Sequence, residues 1–318
     1  MRYAYFPGCS AESTARDMQA STLAVARALG IELVEPKGWT CCGATAGHQT
    51  DHLLAVSLPA ANLAKVRHQN LDMVVSCAAC FNRMKVANHE IASDAAVRRQ
   101  VSQALETDYD GSVKVRHFLE VLLEDVGLQA IARALKQPLR GLKVACYYGC
   151  LLVRPPGILK FDDPENPTSL DRLVKALGAQ SVDWPGKVEC CGGGLSLART
   201  DVVVQLTDSL LDMARQAGAD CVAVSCPMCQ VNLDLRQQDI RRQKGRDYQM
   251  PIVYITQLLG LGLGLGPEEL GFEKLMVPAS TVLEKAFAPA KVQPSLLAAG
   301  RAGNGGARTA GSSGGRLT

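Results

Sequence analysis

Ten of the twelve cysteines in this 318-residue chain fall into two sets with one pattern. The first set is Cys9, then Cys41-Cys42-Gly43, then Cys77-x-x-Cys80; the second is Cys150, Cys190-Cys191-Gly192, Cys226-x-x-Cys229. In both, 34 residues separate the double cysteine from the C-x-x-C. The gap before it is 31 residues in one set and 39 in the other, a difference that a longer loop absorbs at small entropic cost. The flanks repeat as well: Tyr5-Phe-Pro-Gly-Cys9 against Tyr147-Tyr-Gly-Cys150, Ala28-Leu-Gly30 against Ala176-Leu-Gly178, and Asp72-Met-Val-Val-Ser-Cys77 against Asp220-Cys-Val-Ala-Val-Ser-Cys226. A period of about 140 residues is too long for a solenoid and reads as one domain written twice.

Each half carries the same order of elements. A short strand (Tyr3–Phe6; Leu142–Tyr147) leads to the first cysteine, and a helix (Ala15–Leu29; Leu170–Leu177) then ends at glycine. A second strand (Ile31–Val34; Ser181–Trp184) runs to the Cys-Cys-Gly turn, and a second helix follows (Leu53–Gln69; Val202–Ala217). A third strand (Met73–Ser76; Val222–Ser225) meets the C-x-x-C, which opens another helix. Alternation of strands and helices predicts an α/β fold of two tandem, pseudo-equivalent domains with mostly parallel sheets. The expected boundaries are 1–137 for the first domain with its helical connector, 138–285 for the second, and 286–318 for a Gly/Ala/Ser/Arg tail. The connector shows helical patterns at Phe118–Val126 and Leu128–Leu135. The tail has too little apolar surface to offset its ordering entropy and is expected to be disordered.

Composition narrows the class. No charged segment leads into an apolar one at the start, so a secretory leader is not expected and the chain is placed in the cytoplasm. In that setting many cysteines point to metal ligation or redox chemistry rather than disulfides. The longest uncharged apolar run, Val144 to Val153, is about half of a membrane span. The net charge of +3 belongs to the tail: five of the 34 basic residues lie from Lys285 onward with no acidic residue, which leaves 29 against 31 in the body. A nucleic-acid partner is therefore not expected.

The first cysteine and the C-x-x-C of each half follow strand ends, the edge where open α/β sheets bind ligands. The C-x-x-C also opens a helix, whose free N–H groups stabilise thiolates. Structural zinc closes with four ligands, and ordinary iron–sulfur clusters take four cysteines. Five per half leaves two readings, a larger cluster with a bridging thiolate or one idle cysteine, with a zinc-stabilised scaffold as the non-redox alternative.

The doubled pattern resembles the CCG-domain family. Longer stretches resemble one branch of it, the B subunit of heterodisulfide reductase: Tyr147-Tyr-Gly-Cys-Leu-Leu-Val-Arg-Pro155, Phe161-Asp-Asp-Pro-Glu-Asn-Pro167, and Ile255-Thr-Gln-Leu-Leu-Gly-Leu-Gly-Leu-Gly264. The likeness covers roughly residues 1–280. It implies two noncubane [4Fe-4S] clusters, one on Cys9, Cys41, Cys42, Cys77 and Cys80 and one on Cys150, Cys190, Cys191, Cys226 and Cys229, with disulfide or thiol chemistry between them. Cleaving a disulfide takes two electrons, which two one-electron centres supply together. The chain has no C-x2-C-x2-C-x3-C-P run, so electrons must arrive from partners. The resemblance implies a ferredoxin-like C subunit and a flavin-containing A subunit. The other enzymatic reading is an electron-relay CCG subunit of a lactate, glycolate or succinate-type dehydrogenase.

Apart from the cluster ligands no catalytic side chain stands out. Arg154, close behind Cys150, is the expected grip for an anionic substrate group, against a loop salt bridge. Cys146 and Cys221 read as buried small hydrophobes. His48 and His52 read as helix-start or surface residues rather than ligands. Asp162, Asp163 and Glu165 read as a structured loop. Gly260-x-Gly-x-Gly-x-Gly266 lacks the βα unit of a dinucleotide loop and follows a helical stretch.

Overall fold

Runs such as Met73-Val-Val and Cys221-Val-Ala-Val are apolar at every position, the pattern of strands buried on both faces of a parallel sheet. In the computed structural model, which describes residues 1–44 and 46–287, they do form such strands. The first half holds β1 (Arg2–Phe6), β2 (Glu32–Val34), β3 (Met73–Val75) and β4 (Val115–His117). The second holds β5 (Lys143–Cys146), β6 (Gln180–Val182), β7 (Cys221–Val224) and β8 (Ile252–Tyr254). All pairings are parallel, and the orders β2-β1-β3-β4 and β6-β5-β7-β8 are the same. The duplication read from the cysteines is thus a duplication of topology.

That order decides where a ligand can sit. From β1 the chain moves outward to β2, then crosses back to β3 on the other side of β1. The crevice at the carboxyl ends of β1 and β3, and of β5 and β7, is the point where the strand order reverses, the usual site in open α/β sheets. Cys9 and Cys77 leave these ends in one half, Cys150 and Cys226 in the other.

The halves are clasped reciprocally. The helix Ile255–Gly262, which follows β8, packs on the helix Arg16–Ala28 of the first half, with Ser21 Oγ and Thr256 Oγ1 2.7 Å apart. The connector helix Leu128–Ala134 packs on the helix Ser169–Ala176 of the second half, and the N–H groups of Lys136 and Gln137 both donate to the Gly262 carbonyl.

The structure departs from the sequence reading in places. β4 and β8 were not anticipated; Phe118–Val126 is a short α-turn running into a π-helix, Val121–Gly127. The expected tail from Ala286 is corrected at its start, because the helix Ser280–Phe287 carries Ala286 buried against the core. The rest of the tail lies outside the described residues. The helix Ile255–Gly262 covers the start of the glycine repeat, as expected.

Candidate functional site

Glycine shapes both cysteine turns. Gly8 and Gly149 precede the first cysteines at φ +80° and +64°, and a Cβ on either would lie 3.2 Å from the Sγ of Cys80 or Cys229. A side chain there would be strained in backbone and crowded against a thiol. Gly43 and Gly192, both at φ +75°, close the Cys-Cys-Gly turns, and their N–H groups donate to Cys41 Sγ and Cys190 Sγ at 3.4 and 3.3 Å.

The ten cysteines named from sequence come together as two groups that touch. In the first half Cys42 Sγ is 3.2 Å from Cys80 Sγ, and Cys41 Sγ is 3.8 Å from Cys9 Sγ. In the second, Cys191 Sγ is 3.5 Å from Cys229 Sγ. Cys77 and Cys226 leave neighbouring strand ends of the two halves. Ala78, beside Cys77, also donates its N–H to the Ser225 carbonyl at 3.3 Å. Among the described residues all twelve cysteines are free thiols, and no three His, Cys, Asp or Glu side chains converge as one coordinated ion requires. Cys146 and Cys221 lie apart, fully buried, and burial raises both thiols, Cys146 to about 12.

The thiols share protons unequally. Hydrogen bonds from Cys41 and Cys80 hold Cys42 well below the usual thiol range, and bonds from Cys229 and Cys77 do the same for Cys226. Cys190 is lowered to about 6 by its bond with Cys150, helped by the Gly192 N–H. The donors Cys80 and Cys77 are pushed up by the same bonds. Metal loading would displace the protons these thiols carry.

His117 ends β4 behind these thiols. Its Nδ1 accepts from the Leu119 N–H at 3.2 Å, so Nε2 carries the hydrogen and donates to the Ser76 carbonyl at 3.1 Å. Burial lowers its pKa from 6.5 to about 4, keeping it neutral. Asp17 is held up to about 6, also by burial. The two act oppositely. His117 weakens the fold as pH falls from 6.5 towards 4, because only the unfolded chain takes up its proton there. Protonated Asp17 contributes stability below 3.8 that is lost as pH rises through about 6. His117→Asn, which keeps a helix-capping acceptor, removes the first effect alone. Between pH 7 and pH 4 its stability relative to the parent is expected to improve by about 3 kcal/mol, as read by urea titration of the cluster-free chain.

A cavity of about 200 Å³ opens where the halves meet. All five second-half cysteines line it, with Leu151 and Met228. From the first half come His48, Gln49 and Arg83. Arg154 is not among the lining residues. Its guanidinium pairs with Glu165 at 2.7 Å and donates to the Val188 carbonyl at 3.3 Å, the loop salt bridge weighed against a substrate role. Asp162 and Asp163 accept backbone N–H groups of their own loop, as expected for a structural turn. His52 begins a helix and pairs with Glu90 at 3.1 Å, whereas His48 reaches the cavity. Arg83 and His48 were missed as site residues. No local motif marks them, and only the meeting of the halves gives them a role.

With this geometry in place, comparison with known proteins is informative. A model of the cysteine-rich CCG domain matches twice, over residues 3–85 and 144–234. The chain is 34% identical over 281 residues to the 8-methylmenaquinol:fumarate reductase membrane anchor subunit of Wolinella succinogenes, covering 87% of this chain and 98% of that one. It is 30% identical over 288 residues to the B subunit of the ferredoxin/F(420)H(2)-dependent CoB-CoM heterodisulfide reductase of Methanosarcina acetivorans, covering 89% and 96%. Among solved structures, a hypothetical protein from Helicobacter pylori shares the fold with a TM-score of 0.71 at 12% identity, covering 87% of this chain and 52% of that one.

Proposed function

The chain belongs to the cysteine-rich CCG family, together with the B subunits of heterodisulfide reductases, and from that premise we propose that it is the catalytic iron–sulfur subunit of a heterodisulfide reductase-like complex. In this reading each half, 1–137 and 138–285, holds one noncubane [4Fe-4S] cluster. Cys9, Cys41, Cys42, Cys77 and Cys80 serve the first; Cys150, Cys190, Cys191, Cys226 and Cys229 serve the second. The observation that carries the reading is the meeting of the two cysteine sets, where the Ala78 N–H beside Cys77 donates to the Ser225 carbonyl beside Cys226, next to a cavity lined from both halves. When bound, the clusters would supply electrons one at a time to a disulfide held between the halves, or accept them from two thiols. The balance is RS–SR′ plus two electrons and two protons giving RSH and R′SH. The chain's own residues form the cavity, hold the thiolates and keep the halves in register. Electrons come from a ferredoxin-like C subunit and a flavin-containing A subunit, and the complex works in the cytoplasm. Among the described residues no helix is long and apolar enough to cross a membrane.

The relative named for fumarate reductase supports a second reading, in which the same clusters only pass electrons for a succinate-type dehydrogenase. One experiment separates the two. The complex purified through this chain is expected to contain roughly eight irons per chain and to turn over a disulfide with a reduced viologen dye. Iron without any thiol or disulfide turnover, alongside a co-purifying flavin dehydrogenase, establishes the relay; stoichiometric zinc without iron overturns both.

A further inference from the structure

The internal repeat carries one residue type that the cysteine chemistry leaves unused. A serine precedes the C-x-x-C in both halves, Ser76 before Cys77 and Ser225 before Cys226. The edge strands are equivalent there too: Val75 of β3 pairs with His117, and Val224 of β7 pairs with Tyr254. These two serines, His117 and Tyr254 meet Thr22 of the helix Arg16–Ala28 around a small chamber of about 10 Å³ between the halves. Every residue that lines it is buried, and none of them is a cysteine. It is thus a different space from the cavity that the second-half cysteines line.

The main chain of the two serines is satisfied here and the hydroxyls are not. The Ser76 carbonyl accepts from His117 Nε2 at 3.1 Å, and the Ser225 carbonyl from the Ala78 N–H at 3.3 Å. Thr22 Oγ1, Ser76 Oγ, Ser225 Oγ and the Tyr254 hydroxyl are buried with no hydrogen-bond partner among the described residues, so none of them pairs with another. Thr256, also on the chamber wall, shows the contrast: its hydroxyl meets Ser21 Oγ across the halves at 2.7 Å. A buried hydroxyl without a partner is costly, and four around one space are relieved together by one small polar ligand. A chamber of roughly 10–15 Å³ is the least that admits a water, which needs two to four polar partners; an apolar chamber stays dry. Two of the four hydroxyls come from each half, which suits the two donor and two acceptor positions of a single water.

We propose that this chamber binds one ordered water, held by hydroxyls of both halves, and that the water ties the two cysteine sets together electrostatically. Through Ser76 and Ser225 it places one turnable dipole a single residue away from Cys77 and from Cys226. Such a dipole stabilises negative charge added to either set, so its loss acts on both reduction potentials at once. The water site follows from the fold; its effect on the potentials rests on the cluster reading above.

The test has a structural and an electrochemical readout. A crystal structure of the cluster-loaded full chain, grown without oxygen, is expected to show a water within about 3 Å of at least three of the four hydroxyl oxygens. Thr22→Val and Tyr254→Phe each delete one hydroxyl, from opposite halves, with almost no change of shape. In redox titrations followed by electron paramagnetic resonance, either variant is expected to move both midpoint potentials to more negative values, although each touches one half only. A dry chamber, with its hydroxyls turned to one another or to the main chain, overturns the water site. A water with both potentials unmoved, or with only the variant's own half moved, overturns the link. If the water and the paired shifts appear in a complex that never cleaves a disulfide, the catalytic reading falls and this inference stands. Disulfide turnover around a dry chamber gives the reverse.

Discussion

Cys42→Ser is expected to remove one of two cluster signatures, about half of the iron, and disulfide turnover by on the order of a hundredfold or more. Cys191→Ser should do the same for the other centre. Both side chains are buried at the heart of their sets, 3.2 Å from Cys80 Sγ and 3.5 Å from Cys229 Sγ. A serine oxygen is a hard, protonated donor where soft thiolate is needed. Because the two-electron step needs both halves, losing either centre should abolish turnover while the untouched half keeps its metal. Electron paramagnetic resonance and iron analysis read the first outcome, and viologen-linked assays the second. Cys146→Ala is the control. That thiol is fully buried with Ser181 Oγ as its neighbour at 3.5 Å, outside both sets, and its loss should leave iron content unchanged. Survival of both signatures and of turnover in Cys42→Ser overturns the ligand assignment.

Much of this centre was legible because cysteine spacing is a one-dimensional record of it. The doubled 34-residue interval, the strand before each C-x-x-C and the glycine of each Cys-Cys-Gly turn can all be read without coordinates. What could not be read was non-local. β4 is only Val115-Arg116-His117, and nothing in its periodicity announces a strand. Arg116 is buried there because Asp125 and Glu124 meet its guanidinium from the following turn, and His117 because its two nitrogens find backbone partners. Arg154 and Arg83 make the same point for the site. Both follow a cysteine closely, but Arg154 is taken by Glu165 within its own loop. Arg83 meets the neutral Asn82 side chain instead, and the neighbouring Glu90 pairs with His52. Sequence proximity to a ligand does not tell these cases apart.

Asn82 is where that closure can be measured. It lies in the helix Ala78–Ser93, two residues after Cys80, and is fully buried although asparagine is a poor interior helix former. Its Nδ2 donates to the carbonyls of Leu151 and Arg154 at 3.2 and 2.7 Å, in the loop that leaves Cys150, and its Oδ1 accepts from Arg83. Further along the same helix, Lys85 Nζ donates to the Leu159 carbonyl at 2.7 Å. The C-x-x-C helix of one half thus holds the first-cysteine loop of the other. Asn82→Ala leaves two half-buried carbonyls without this donor and frees the guanidinium, which should lower unfolding free energy by about 2–4 kcal/mol. Lys85→Ala should reduce stability by about 1 kcal/mol, and because both side chains secure one loop, the double variant should lose less than the two single losses combined. Urea titration of the four proteins reads the coupling. Strict additivity would mean that the two contacts act on independent segments, and an unaltered midpoint in Asn82→Ala would mean that the halves are held together by their cores alone.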